Sequence, residues 1–95
     1  NLIINSVDAC TKIEQPKITV SANLSNEGTP IIKVTDNGNG IPDEIVDKIF
    51  IPFFSSKKRG SGIGLSLCQQ IMFLHKGKIQ VNSVENSGTV IHLVF

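Results

Sequence analysis

Asp36-Asn37-Gly38-Asn39-Gly40-Ile41-Pro42 is the stretch from which the fold is read. It is an acidic turn rich in Gly and Asn, and such residues place the chain in conformations closed to bulkier side chains. Upstream of it, Lys17 to Leu24 alternates in the manner of a half-buried strand, with Ile18, Val20, Ala22 and Leu24 pointing one way. Ser25-Asn26-Glu27-Gly28 is a turn signal, so Pro30 to Thr35 reads as the returning arm of a hairpin and Asp36 as its end. Downstream, Pro42-Asp43-Glu44 opens a short helix running to about Ile49, its acidic first turn favoured by the helix dipole.

Working outward, residues 1 to about 13 carry Leu2, Ile3, Val7 and Cys10 near helical spacing, and Pro16 closes that segment. The Ser, Lys and Gly content of residues 51–60 predicts a mobile loop. Ser61 to His75 is the longest periodic helix, predicted to bury Ile63, Leu67, Ile71 and Leu74, with Gly77 as a left-handed cap. Lys78 to Val84 and Thr89 to Phe95 are two strands joined by Glu85-Asn86-Ser87-Gly88. Helix, strand, strand, short helix, loop, helix, strand, strand predicts an α+β fold: a two-layer sandwich with helices on one face of a mixed or antiparallel sheet.

Ninety-five residues, 40% hydrophobic and 18% charged, make one globular domain with a modest core. Nine Lys plus Arg against eight Asp plus Glu leave a net charge of +1, which gives no basic field for nucleic acid. Cys10 and Cys68 are far apart, with no Cys-x-x-Cys and no histidines at metal spacing, so both read as small apolar residues on helices. No apolar run approaches the roughly 20 residues of a membrane span, and no signal-peptide pattern is visible; direct membrane contact is not expected. The chain opens at Asn1 inside an amphipathic pattern and closes within or just after a strand. It therefore reads as one domain, residues 1–95, of a larger protein, truncated at its N-terminal side.

Three stretches, in order, carry a resemblance: Asn1-Leu2-Ile3-Ile4-Asn5-Ser6-Val7-Asp8-Ala9, then Asp36 to Pro42, then Gly60-Ser61-Gly62-Ile63-Gly64-Leu65. With Ile49-Phe50-Ile51-Pro52-Phe53-Phe54 between the second and third, they resemble the catalytic ATP-binding domain of sensor histidine kinases. This is the two-layer Bergerat fold shared with DNA gyrase, mismatch-repair ATPases and heat-shock chaperone ATPases. The glycines lack both the preceding strand and the spacing of a dinucleotide fingerprint, and no Walker-type Gly-Lys-Ser/Thr is present.

The resemblance implies a role for each box. Asn5 matches the magnesium-binding asparagine; an amide oxygen is a hard neutral ligand suited to Mg²⁺, although a helix-surface Asn making a routine hydrogen bond is the plain alternative. Asp36 matches the carboxylate that accepts the exocyclic amine of adenine, against a simpler role in capping the turn. Gly38 and Gly40, with Ile41, would let the backbone approach the ring or take positive φ. Gly60, Ser61, Gly62, Ile63, Gly64 and Leu65 enter the long helix, whose N-terminal amides attract phosphates. Phe50 and Phe54 would anchor the base of a short ATP lid of the nitrogen-regulator-like branch. Lys57 would reach the β- or γ-phosphate, unless Lys57-Lys58-Arg59 is only a solvated charge run. Thr89 would assist Asp36 at the adenine or be an ordinary strand threonine.

One position separates kinase from hydrolase within the superfamily. The gyrase-like ATPases carry a Glu one helical turn before the metal Asn, acting as general base; here Asn1 stands there, and an amide cannot take that proton. His75 ends a helix and His92 alternates within a strand, so both read as structural and the phosphoacceptor histidine lies outside this chain. The departures are mild: Ile51 stands where many relatives have Glu, Lys76 where many have Gly, and Ser61 where Thr is commoner. The implied activity is that of a protein-histidine kinase in two-component signalling. It binds ATP and Mg²⁺, passes the γ-phosphoryl to a histidine on a separate dimerisation domain, and has a response regulator downstream. Such a domain is cytoplasmic even where the parent is membrane-anchored. An anti-sigma-type serine kinase and a degenerate nucleotide-binding interaction module are the alternatives.

Overall fold

The computed structural model describes residues 1–54 and 62–95. Seven elements follow one another: α1 (Leu2–Ala9), β1 (Ile18–Leu24), β2 (Pro30–Asp36), α2 (Asp43–Val46), α3 (Gly64–Leu74), β3 (Lys78–Val84) and β4 (Gly88–Val94). The four strands form one antiparallel sheet in the order β1-β2-β4-β3, and α1 and α3 pack on it. The α+β sandwich is thus as expected, and the sheet is wholly antiparallel among the described residues.

Topology brings particular ends together. The chain leaves β2, passes through α2 and α3, and enters the far edge strand β3, before β4 inserts between β3 and β2. Because β4 opposes both, β2 and β3 run the same way, so the loop after Asp36 and the β3–β4 turn lie at one end of the sheet. Only His75–Gly77 separates α3 from β3, so the helix packs antiparallel to that strand and its N-terminus returns to the same end.

Strand pairing sets out the core in rows. On the helix-facing side Ile32, Leu93 and Ile79 form one row, and Val34, Ile91 and Val81 the next. Leu2 from α1 and Leu65 and Cys68 from α3 close over Val34 and Ile91. Burying a side chain of this size contributes about 1.5–3 kcal/mol. On the opposite face a polar row, Ser21, Lys33, His92 and Gln80, crosses all four strands, with the His92 Nδ1 buried and unpaired.

Several expectations are corrected. Helix α1 ends at Ala9 rather than near residue 13, and its buried stripe is Leu2, Ser6 and Cys10, at i, i+4 and i+8; Ile3 and Val7 are exposed. Likewise α3 starts at Gly64, not Ser61, and turns Leu65, Cys68 and Met72 inward. Met72 is 3% exposed, whereas Leu74 is 77% exposed and Ile63, Leu67 and Ile71 also face outward. The sequence has apolar residues on both flanks of that helix, and the spacing i, i+3, i+7 from Leu65 wins because it aligns with β3 and β4. Lys76, with φ 61°, takes the left-handed position after α3. Gly77 serves by size: a Cβ there would overlap the Val94 carbonyl and lie 2.9 Å from Met72 Cε. Strand β1 is an edge, and its Val20 and Leu24 remain largely exposed rather than half-buried. His75 does pack, its ring edge-to-face with Phe95 at 6.1 Å. No helix among the described residues is long and apolar enough to cross a membrane.

Candidate functional site

The third row of the sheet breaks the apolar pattern. Asp36, Thr89 and Ser83 are paired side by side across β2, β4 and β3, next in register after Val34, Ile91 and Val81. Asp36 and Thr89 are each only 7% exposed. Unpaired polar groups at that depth cost free energy, so their partners define the site.

Asp36 Oδ1 accepts the Gly38 N–H at 2.9 Å, the bond of a turn-capping carboxylate. That bond uses one of about four acceptor positions on the carboxylate, and acceptor capacity remains. Ser83 Oγ accepts the Ile41 N–H at 2.8 Å, lies 3.0 Å from the Gly88 carbonyl oxygen, and meets Thr89 Oγ1 at 2.8 Å. Ser83 was not singled out in the sequence. The signal was available: it falls on the inward parity of Ile79 and Val81 but is polar.

The loop from Asp36 to Ile41 is fastened on both sides. Asn39 N–H donates to the Ala9 carbonyl at 3.0 Å, and the Asn39 carbonyl accepts from Asn86 N–H at 2.6 Å. A Cβ on Gly38 would sit 2.6 Å from the Ala9 oxygen, so Gly38 is required by the C-terminal end of α1. Gly40 has φ 71° and abuts the Val84 carbonyl. The expected positive φ is present at Gly40, while the close approach at Gly38 is to the protein's own backbone rather than to a ligand ring. Asn37 is a second residue missed in the sequence: its Oδ1 accepts Lys17 N–H at 2.8 Å and its Nδ2 donates to the Gln15 carbonyl at 2.9 Å. It ties the α1–β1 link to the loop.

At the same end of the sheet stands the start of α3. Gly64 is its first residue, Ile63 precedes it and is exposed, and Leu65 turns into the core. Gly62 has φ 77°, and its carbonyl accepts Phe53 N–H at 2.8 Å, tying together the two ends of the intervening segment. Phe50 and Phe54 are half-buried but neither joins the central cluster. Lys57, Gly60 and Ser61, with the rest of the expected lid from 55 to 61, lie outside the described residues. On α1, Asn5 is half-buried and sits one turn after Asn1, whose Oδ1 lies 3.2 Å from where a Gly64 Cβ would be. The α1 start is thereby set against the α3 start. A shallow hollow between α3 and β3, lined by Gln69, Phe73 and Lys78, is at the other end of that helix and is no part of the site.

Burial pushes the Cys68 thiol up from its ordinary value of 9.0. Both cysteines are free.

A two-layer α+β domain, with its apolar sheet ending in an Asp-Thr-Ser row, the first two buried, beside a glycine-led helix, is the class defined by these features. Residues 1–95 match the histidine kinase-, DNA gyrase B- and HSP90-like ATPases, and the chain belongs to that family. It is 41% identical over 90 residues to sensor histidine kinase ZraS of Salmonella typhi, covering 95% of this chain and 19% of that protein. It is 42% identical over 76 residues to sporulation kinase D of Bacillus subtilis, covering 80% of this chain and 15% of that one. Among solved structures, the catalytic domain of histidine kinase ThkA superposes with a TM-score of 0.80 at 33% identity, covering 99% of this chain and 60% of that one. The mycobacterial sensor histidine kinase MprB gives 0.78 at 28%, covering 99% and 68%. The chain therefore spans less than a fifth of those two curated relatives.

Proposed function

We propose that residues 1–95 form the catalytic ATP-binding domain of a sensor histidine kinase. It would bind Mg-ATP and present the γ-phosphoryl to a histidine on a separate dimerisation domain, with a response regulator downstream. The observation that carries this reading is the buried carboxylate of Asp36 beside Thr89, at the sheet end where the α3 N-terminus also lies.

Asp36 accepts the exocyclic amine of adenine, a donor that guanine replaces by a carbonyl. Gly38, Gly40 and Ile41 hold the wall of the base site, and Thr89 flanks the carboxylate. Gly62, Ile63, Gly64 and Leu65 turn the first amides of α3 toward phosphate, where the helix dipole favours negative charge. Gly60, Ser61 and Lys57 complete that end by their place in the sequence pattern, and Phe54 stands at its edge. Asn5 would hold Mg²⁺ through its neutral amide oxygen, a hard ligand, and the ion would offset phosphate charge. The bound nucleotide supplies the transferable phosphoryl group, and the residues here position it and balance its charge.

Calorimetric titration of the purified protein with ATP and GTP, with and without Mg²⁺, tests the reading. Adenine-selective binding that tightens with Mg²⁺ is expected. Asp36→Asn, which turns one acceptor oxygen into a donor, is expected to weaken ATP binding at least tenfold, since a hydrogen bond to a charged group contributes about 1.5–3 kcal/mol. Unchanged ATP affinity in that variant refutes the adenine assignment.

A further inference from the structure

Ser83 stands at the β3 end of the Asp36–Thr89–Ser83 row and has no role in the function proposed above. Its hydroxyl has one proton and two lone pairs. The Ile41 N–H fills one lone pair at 2.8 Å. The Gly88 carbonyl can only accept, and at 3.0 Å it takes the Ser83 proton. One lone pair is left, and Thr89 Oγ1 lies against it at 2.8 Å. The arrangement that satisfies all three contacts has Thr89 donating its proton to Ser83. Thr89 then keeps only lone pairs for the space beside Asp36.

We propose that Ser83 is a positioning residue that fixes the Thr89 hydroxyl as a hydrogen-bond acceptor next to the Asp36 carboxylate. A ligand edge placed there meets two acceptors, so an amino group is accepted and a carbonyl is rejected. The inference rests on the adenine-site reading and deepens it: selectivity is set by a proton held away from the base. Through Ile41 the same hydroxyl fastens the Asp36–Ile41 loop to β3, so loop position and donor direction are set together.

The test compares ATP with inosine triphosphate, which carries a carbonyl where ATP has the amine. In Ser83→Ala the Thr89 proton is released and can turn toward a carbonyl. The ATP-to-ITP affinity ratio is expected to fall about tenfold, the size of one net hydrogen bond. In Thr89→Val the hydroxyl is gone, and adding Ser83→Ala is expected to change the ratio no further. Ser83→Cys, whose sulfur is a far weaker acceptor than the hydroxyl oxygen it replaces, is read the same way should the alanine variant melt early. A wild-type ratio in Ser83→Ala or Ser83→Cys, or an additive double variant, overturns the proposal. Asp36→Asn measured alongside separates the two readings. If it binds ATP as wild type does, the adenine site itself is wrong. If it loses ATP while Ser83→Ala keeps the ratio, only the role of Ser83 falls.

Discussion

Gly28 and Gly40 make a natural pair for measuring how tightly the site loop is built into the fold. Their φ angles, 81° and 71°, are nearly the same. Around Gly28, in the β1–β2 turn, a Cβ would meet nothing within 4 Å; at Gly40 it would overlap the Val84 carbonyl and lie 2.9 Å from Glu85 Cα. Alanine at either position takes on a left-handed penalty of about 1–2 kcal/mol. Any gain from stiffening the unfolded chain, about 0.4–1 kcal/mol, is common to both and cancels in the comparison. Only Gly40→Ala must also push backbone against backbone, which adds about 1–3 kcal/mol as overpacking does elsewhere. Urea and thermal unfolding of both variants reads the difference. At about 4–8 °C per kcal/mol for a domain near this size, Gly40→Ala is predicted to melt at least 4 °C below Gly28→Ala. Gly28→Ala should leave nucleotide binding unchanged. Gly40→Ala should weaken it, because Ile41 and Asn39 are displaced from Ser83 and Asn86. Equal melting temperatures would refute the claim that the loop is seated on the β3–β4 turn.

Two further predictions concern the core. Met72→Ala is predicted to cost about 2–5 kcal/mol and Leu74→Ala less than about 0.5 kcal/mol, reversing the order that helical periodicity suggests; paired urea melts decide it. The raised Cys68 thiol means that the folded chain holds its proton where the unfolded chain has released it. Stability should therefore fall as pH climbs above about 9.0, and in Cys68→Ala that part of the decline should vanish.

Much of the fold was legible because strands announce themselves by parity. Both hairpins and the sheet end at Asp36 followed from alternation and from Ser-Asn-Glu-Gly and Glu-Asn-Ser-Gly turns. Which side of α3 faces the sheet was not legible, since Ile63, Leu67, Ile71 and Leu74 are as apolar as Leu65, Cys68 and Met72. Tertiary alignment with β3 and β4 decided between two stripes of similar hydrophobicity. Gly77 looked like a cap because glycine usually takes that place, yet Lys76 carries the positive φ and Gly77 yields room to Val94. At the site, the sequence singled out Asp36, Gly38 and Gly40 from one motif and Thr89 by resemblance, but neither Asn37, whose amide ties the loop to the α1–β1 link, nor Ser83. Asp36 and Gly40 stand together in the chain, whereas Ser83 reaches them only because β4 lies between β2 and β3.

The same placement bears on why such a site would transfer a phosphoryl group rather than hydrolyse ATP. Asn1 stands one turn before Asn5, and its amide lies against Gly64 at the start of α3. A residue at that position is thus beside the helix terminus proposed to hold phosphate, where a general base would have to stand to deprotonate an attacking water. An amide there can orient a water by hydrogen bonding but cannot remove its proton, so water gains no nucleophilic advantage from this neighbour. Neither His75 nor His92 supplies the base: the first is packed on Phe95, and the second is on the opposite face of the sheet. What the described residues do assemble is the buried Asp36–Thr89 pair and the α3 terminus, the parts proposed above to hold the base and the phosphates. On the function proposed above, the domain would raise the reactivity of its phosphoryl group only toward a nucleophile that another domain brings in already positioned. Such division of labour keeps ATP from being spent on water.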